Sequence, residues 1–498
     1  MFVQAFTILR MQPANLLFII SDQHQAAAMG CAGHPLVQTP NLDALAAAGT
    51  RFRKAYTNCA ICVPARASLA TGRYVHKIGN WDNGLPYDGV IPSWMHRLRD
   101  KGRTIDTIGK LHFRGGDDYG FTREIEPLHV VGGIGDPATG IRDGSLTRES
   151  RIGIDEAGPG DSTYQQYDIR NRENAIRWLR EHADDEQPWA LFLSFVTPHP
   201  PFLAPPADYA RYRHEDITLP PQWAQADWSA HPAYAWMRRF FGYERPFDEA
   251  DIRRLQATYY GICSFLDAQI GQVLAALDGL KLRESTRIIY TSDHGEQLGA
   301  RGLFGKFTMY EEASAVPLIM AGADVPVGVE VDTPVSLIDC HPTVMQALGC
   351  PKHADDADLP GDSLWQIAAA DDHDRTVFAE YHAIASRNAF YMLRDRRHKL
   401  IYHVDAPAQL FDLCDDPLEL RDLAHREDAE SQRLLADYQS RLRQIVDPEA
   451  VDARAKADQQ RRIESLGGRE AVVARGAFIN SPVPGESPQF RAFQPAEN

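Results

Sequence analysis

Four short apolar runs constrain the fold, because each one stops at residues that carry chemistry. Leu16-Leu17-Phe18-Ile19-Ile20 leads into Ser21-Asp22-Gln23, and Thr104 to Ile108 leads into Gly109-Lys110-Leu111-His112. Ala190 to Val196 leads into Thr197-Pro198-His199, and Arg287-Ile288-Ile289-Tyr290 leads into Thr291-Ser292-Asp293-His294. A strand wetted on one face alternates apolar with polar residues, whereas a near-continuous apolar run is covered on both faces, as in a parallel sheet. Helical segments lie between the runs. Thr39-Pro40-Asn41 opens one, with Thr39 as N-cap and Pro40 at the first helical position, and Gly49 closes it. Residues 165–183, 249–279 and Leu337 to Leu348 are further helical stretches. Strands alternating with helices predict a doubly wound α/β domain. Ligands in such sheets bind beyond the carboxyl ends of the strands, so Asp22, Lys110, His199 and Asp293 are expected at one edge.

The texture changes after residue 375. Val377 to Tyr381, Ala389 to Arg394, Lys399 to His403 and Gln409 to Leu413 are short runs at hairpin spacing and predict a small antiparallel sheet. A surface helix is expected over 429–446. The chain thus divides into a catalytic α/β domain (11–375), a smaller sheet-and-helix subdomain (376–448) and an extension (449–498). The Gly-, Pro- and Ser-rich tail from Gly467 is expected to be disordered or pinned on a neighbouring subunit.

Composition excludes some partners. Lys plus Arg is 52 against 68 Asp plus Glu, a formal net charge of −16, which disfavours nucleic acid and anionic membranes. No apolar run reaches the roughly 20 residues of a bilayer-spanning helix. Residues 1–12 make a poor signal peptide, and Met11 is a candidate start. Seven cysteines are an odd count for a disulfide framework, so a cytoplasmic location is expected.

The most informative segment is Cys62-Val63-Pro64-Ala65-Arg66, in which Pro64 and an Ala-rich turn begin a helix that Gly72 ends. Cys62 then sits at a helix N-terminus, where free N–H groups stabilise a thiolate or bind an anion. Arg66 is four residues on and points at the same place.

Cys62-x-Pro64-x-Arg66, followed by a helix ending in Thr71-Gly72, resembles the formylglycine-dependent (type I) sulfatases of the alkaline phosphatase superfamily, close to the phosphonate monoester hydrolase branch. Asp22, Thr39-Pro40-Asn41-Leu42-Asp43, Gly109-Lys110-Leu111-His112, Pro198-His199, Ser292-Asp293-His294-Gly295, Lys306 and Val316-Pro317-Leu318-Ile319 follow the family's order, over roughly residues 13–425. The resemblance implies an alkaline phosphatase-like fold: a large mixed sheet flanked by helices, plus a small C-terminal antiparallel sheet. It implies hydrolysis of small anionic esters, the sulfate monoesters of alcohols or phenols. It also implies that a formylglycine-generating enzyme oxidises Cys62 to an aldehyde. One hydroxyl of the aldehyde hydrate would attack sulfur, and loss of a proton from the second would expel sulfate.

The same resemblance implies roles for single residues. Asp22, Gln23, Asp293 and His294, with an oxygen of the modified Cys62, would hold one divalent metal ion per subunit. Gln23 and His294 stand where the family often has Asp and Asn, so Mn2+ joins Ca2+ as a candidate ion. Arg66 would hold the diol or alkoxide. Lys110, His199 and Lys306 would neutralise the sulfate oxygens, and His199 or Lys306 would protonate the leaving group. His112 would deprotonate the diol. Asn83 is expected in the substrate pocket beside Trp81 and Tyr87, and Glu380, Tyr381 and His382 are candidates for the alcohol side. The tail resembles oligomer-forming extensions of the phosphonate hydrolase branch, so a homo-oligomer, dimer or tetramer, is expected.

Read without the resemblance, these residues say less. Cys59-Ala60-Ile61-Cys62 is a CxxC lacking the second pair of a zinc ribbon. Pro198-His199-Pro200 reads as a rigid loop, and Lys306 behind Gly302 to Gly305 as an exposed loop lysine. Arg394, Arg396, Arg397 and Lys399 are expected on a solvated hairpin face. Two further functions stay in play. One is a phosphonate monoester or phosphodiester hydrolase, disfavoured because that branch usually has Tyr and Thr where Lys110 and His112 stand. The other is a non-enzymatic relative whose unmodified Cys62 site binds an anion, disfavoured by the intact set of polar residues.

Overall fold

The computed structural model describes residues 12–370, 374–478 and 480–496, so the candidate start Met11 lies outside the described residues. Its centre is an eight-stranded sheet of β1 (Asn15–Asp22), β2 (Gly49–Phe52), β3 (Thr104–Lys110), β4 (Arg123–Leu128), β5 (Trp189–Pro198), β6 (Thr286–Ser292), β7 (Leu318–Gly322) and β8 (Val329–Val331). The spatial order is β8-β2-β7-β6-β1-β5-β3-β4. Strands β6, β1, β5, β3 and β4 run parallel, while β7 is antiparallel to both β6 and β2, so the sheet is mixed. Leu16, Phe18 and Ile20 face one core and Leu17 and Ile19 face the other, which is why the first run has no polar member.

The helices that cover the two faces include α1 (Pro40–Ala47), α2 (Cys62–Thr71), α3 (Thr163–Glu181), α4 (Glu249–Gly279) and α5 (Cys340–Ala347). Side chains of α2 and α5 fill the first core, and those of α1, α3 and α4 fill the second. Leu266, Ile270, Val273 and Leu277 form the buried stripe of α4, each stabilising the contact by roughly 1.5–3 kcal/mol. Among the described residues α4 is the one helix long and apolar enough to cross a bilayer, and most of it is buried in this core. Ser21 pairs with Ser292, Asp22 with Pro198 and Gly109 with Ser194, so β1, β3, β5 and β6 finish level with one another. The residues after those four strands therefore meet.

Local expectations needed correction. Thr39 does not cap α1 through its side chain; its hydroxyl accepts from the Gly30 N–H at 2.9 Å and donates to Asp43 at 3.0 Å. Gly49 opens β2 instead of closing α1, and a Cβ there would lie 2.0 Å from the Met320 carbonyl oxygen. Helix α2 begins at Cys62, two residues before Pro64, and ends on Gly72 in the left-handed region at φ 67°.

The second sheet is antiparallel, in the order β9 (Val377–Tyr381), β10 (Phe390–Arg394), β11 (His398–His403) and β12 (Gln409–Asp412). Phe378, Tyr391, Leu393 and Leu400 pack on Tyr438 and Leu442 of α6 (Ala429–Ile445), while Val377, Ala379, Met392 and Ile401 pack on the catalytic domain. The solvated hairpin face is overturned for two of its residues. Arg394 is buried and donates to Tyr56 Oη at 2.8 Å, and the buried Lys399 ammonium lies 2.6 Å from Glu311 and 2.8 Å from Glu419.

Glu380 is buried between two imidazoles, at 2.9 Å from both His76 Nδ1 and His382 Nε2. Burial raises its carboxyl, but His76 and His382 outweigh burial and hold the pKa at about 2. A carboxyl depressed on folding adds stability above its unfolded pKa, near 4.3, and loses it as pH falls toward the folded value. Glu380→Gln is expected to cost roughly 3 kcal/mol at pH 7 and about half that at pH 3. Urea titrations showing equal losses at both pH values would refute an ionised Glu380.

The described residues of the tail are ordered against their own chain. After α7 (Pro448–Ser465), β13 (Ala477–Phe478) pairs with β14 (Phe490–Arg491), and Gln494–Pro495 pairs with Leu146–Thr147 of the catalytic domain. Apolar burial holds it there: Val472, Ala477 and Phe493 cluster with Ala138, Ile141 and Leu146, and Val483 packs with Leu128, Tyr164 and Val196.

Candidate active site

Asp22 is the last residue of β1, and Asp293 directly follows β6. Because these strands are register-paired neighbours, the two carboxyls are adjacent, and both are fully buried. Gln23 turns through the left-handed region at φ 69°, and its N–H donates to Asp293 Oδ1 at 3.1 Å. That is a strained backbone for a non-glycine residue, held by local hydrogen bonds. His294 engages the Gly295 carbonyl through Nδ1 at 3.1 Å. Its Nε2 lies 3.8 Å from Asp22 Oδ1 and 3.6 Å from Asp293 Oδ1. Nε2 and Asp22 Oδ1 are both buried without a hydrogen-bond partner. Asp22, Cys62, Asp293 and His294 each bring one ligand atom within 4.8 Å of the others.

Helix α2 brings Cys62 and Arg66 to this point. Arg66 is 2% exposed; its Nε donates to Asp293 Oδ2 at 2.8 Å, and its Nη2 lies 3.4 Å from Asp22 Oδ2. Nη1 donates to the Lys110 carbonyl at 2.8 Å and to Ser194 Oγ at 2.9 Å. The Lys110 ammonium is 2.6 Å from Asp22 Oδ2. Arg66 and Lys110 thus grip the two carboxylates, contacts that come in addition to the roles expected of them toward the diol and the sulfate. Lys306 stands above: its ammonium donates to Cys62 Sγ at 3.4 Å and to Gln23 Oε1 at 2.9 Å. The loop that carries Lys306 is shaped by Glu296, which accepts from Gln23 Nε2, from the Leu298 N–H at 3.0 Å and from the Gly305 N–H at 2.6 Å.

Three cations therefore face two carboxylates in a buried cluster, and the pKa values of the site separate accordingly. Burial raises Asp22, but Lys110, His199, Lys306 and Arg66 outweigh it and hold the carboxyl well below its usual range. Burial and the Asp22 charge push Asp293 up to about 6. Burial pushes the Cys62 thiol up against the pull of Lys306. His112 and His199 are driven down by burial, reinforced by Lys110 for the first and Lys306 for the second.

A cavity of about 420 Å³ opens above Cys62. Gln23, Cys62, Asn83, His112, His199 and Lys306 line its floor, and Ile154, Phe202, Phe241, Phe304 and Phe307 contribute apolar wall. Asn83 Oδ1 accepts from the Val63 N–H at 3.3 Å, so the pocket asparagine also satisfies a free donor at the start of α2. Its expected companions are elsewhere. Trp81 is buried and donates to Asp458, and Tyr87 packs in the first sheet core. Glu380 and His382 satisfy each other, and Tyr381 donates to the Ile384 carbonyl at 2.8 Å, so none of the three faces the cavity. Sequence reasoning missed Ser194, Glu296, the phenylalanine wall and the tail residues Phe478, Ser481 and Arg491, which also line the cavity or its base.

Residues 14–350 match the family model described as Sulfatase, and residues 299–447 match that of the N-sulphoglucosamine sulphohydrolase C-terminal region. The chain is 30% identical over 468 residues to Arylsulfatase K of Danio rerio, covering 88% of this chain and 84% of that protein. It is 30% identical over 461 residues to the choline-sulfatase of Rhizobium meliloti (strain 1021), covering 90% of each. It shares the fold of a phosphonate monoester hydrolase from Silicibacter pomeroyi, with a TM-score of 0.71 and 24% identity over 86% of this chain and 94% of that one. The family model spans the whole central sheet, and every residue expected at the strand ends from the sequence sits under this one cavity. The chain belongs to the sulfatase family of the alkaline phosphatase superfamily and is a sulfuric ester hydrolase.

Proposed function

We propose that this sulfatase cleaves sulfate monoesters of small aryl or alkyl alcohols, with formylglycine made from Cys62 as nucleophile and one divalent metal ion beside it. The observation that carries the reading is the pair of unpartnered buried atoms, Asp22 Oδ1 and His294 Nε2, 3.8 Å apart in a cluster that includes Cys62. Leaving such atoms unsatisfied is costly, and a cation between them removes the cost. Asp22, Asp293 and His294, with the Gln23 amide oxygen, would hold that ion. The imidazole tilts the choice toward Mn2+, with Ca2+ the other candidate. When bound, the ion supplies Lewis-acid stabilisation of negative charge on the ester, and the hydrated aldehyde supplies an attacking hydroxyl and a second through which sulfate departs.

The chain's own residues do the rest. Arg66 and Lys110 hold the two carboxylates in place. Lys306 and His199 face the cavity, where they bind sulfate oxygens and carry the protons available to the departing alcohol. His112 Nδ1, buried and without a partner, takes the proton whose loss releases sulfate. The phenylalanine wall excludes water and receives the carbon body of the alcohol. An arylsulfatase and a choline-sulfatase among the relatives agree with a small organic alcohol.

Mass spectrometry of the tryptic peptide Ala55 to Arg66 after thiol alkylation tests this. The expected result is a labelled Cys59 and an aldehyde at position 62. Two labelled cysteines, even after co-expression with a formylglycine-generating enzyme, would overturn it.

A further inference from the structure

We propose that Ser481, on the C-terminal tail, is a positioning residue that fixes the ring of His112 so that Nδ1 faces the reaction. The two residues lie 369 positions apart, yet His112 Nε2 is 3.0 Å from Ser481 Oγ. A hydroxyl oxygen that accepts the Nε2 proton leaves the lone pair of a neutral imidazole on Nδ1. Nδ1 is the atom with no partner among the described residues, and the residue is only 4% exposed at the floor of the cavity.

The surroundings remove the other freedoms of this ring. His112 sits in the left-handed region at φ 56°, a conformation that costs a non-glycine residue roughly 1–2 kcal/mol. Its backbone N–H is tied to the Leu128 carbonyl at 2.9 Å. With the backbone pinned and one ring nitrogen held, the direction of the other is set.

Ser481 is itself held from several sides. Tyr164 Oη donates to the Ser481 carbonyl at 2.7 Å, and the Arg148 guanidinium donates to the Phe478 carbonyl. Val483, two residues on, is buried against Leu128 and Tyr164. The β13–β14 pairing and the Gln494–Pro495 pairing anchor the segment on both sides. Tyr164 also stands edge-on to His199, 5.9 Å between ring centres, so one tyrosine braces both the tail and the second catalytic histidine.

The proposal rests on the reading of His112 as the base that accepts the proton, and a double-mutant cycle separates the two. Turnover of an aryl sulfate is measured for Ser481→Ala, Ser481→Thr, His112→Ala and the Ser481→Ala/His112→Ala pair, beside thermal melts of each. Ser481→Ala is expected to lower kcat about tenfold, the size of one hydrogen bond to a charged group, with little change in KM or melting temperature. Ser481→Thr, which keeps the acceptor, is expected to restore most of the rate. In the His112→Ala background the serine is expected to matter no further. If His112→Ala collapses turnover while Ser481→Ala does not, the positioning role falls and the base remains. If the Ser481→Ala loss persists at full size without His112, the serine acts on something else and the proposal is wrong. Wild-type turnover in His112→Ala would overturn both.

Discussion

Cys62→Ala is expected to lower turnover of an aryl sulfate by about 10⁴-fold or more while leaving the fold intact. On the proposed mechanism the loss is large because the nucleophile goes, and the floor cations that remain would bind sulfate without a group to accept it. The fold survives because the thiol contributes little to it. Sγ has one hydrogen-bond partner, Lys306, which keeps its second contact at Gln23 Oε1. Alanine also suits the first turn of α2. The stability change is therefore expected to stay within about 1 kcal/mol. Steady-state kinetics beside a thermal melt checks both halves. Activity within tenfold of wild type would show that some other group attacks the ester.

Arg66→Ala is expected to cost roughly 3–5 kcal/mol of stability in metal-free protein, the range for stripping one partner from a buried charge network. Its guanidinium closes contacts to Asp22, Asp293, Ser194 and the Lys110 carbonyl from inside the fold. Without it, two adjacent carboxyls share Lys110 and Lys306 alone. Arg66→Lys keeps a charge but cannot span both aspartates, and is expected to fall between. Millimolar Mn2+ or Ca2+ is expected to recover part of the loss, since a bound cation neutralises the same carboxylates. Urea unfolding of the three proteins with and without metal decides. A loss below 1 kcal/mol for Arg66→Ala would mean that Lys110 carries the network unaided.

Some of this was legible in the sequence for a simple reason. Strands buried on both faces are read as unbroken apolar runs, and the polar residues that follow each run mark the functional edge. Asp22, Lys110 and Asp293 were therefore placed correctly without knowing the strand order. Cys62 was placed by local geometry, since Pro64 and Gly72 bracket a helix. Residues whose environment comes from far along the chain were misread. Arg394 and Lys399 look like a charged hairpin edge until Tyr56, Glu311 and Glu419 arrive to bury them. Glu380 and His382 look like pocket chemistry but satisfy each other. Arg66 was placed at the right spot, but its partners Asp22, Asp293 and Ser194 were not foreseen, because spacing on a helix says where a side chain reaches and not what awaits it. The tail pairs through two-residue strands, one pair internal and the other joining Gln494–Pro495 to Leu146–Thr147 far up the chain, all too short to leave any periodicity.

The burial of Cys62 sets a deadline. In the finished molecule it is 2% exposed, and the lysine above it comes from a residue 244 positions later in the chain. No modifying enzyme can close around a side chain in that position. During synthesis from the N-terminus, however, the segment around Cys62 emerges long before Asp293 and Lys306 exist to cover it. Formylglycine formation at this cysteine, as proposed above, would thus be a race between catalysis by another protein and completion of the sheet. On that reading the yield of active enzyme from any host becomes a matter of timing, set by translation speed against the supply of the modifier.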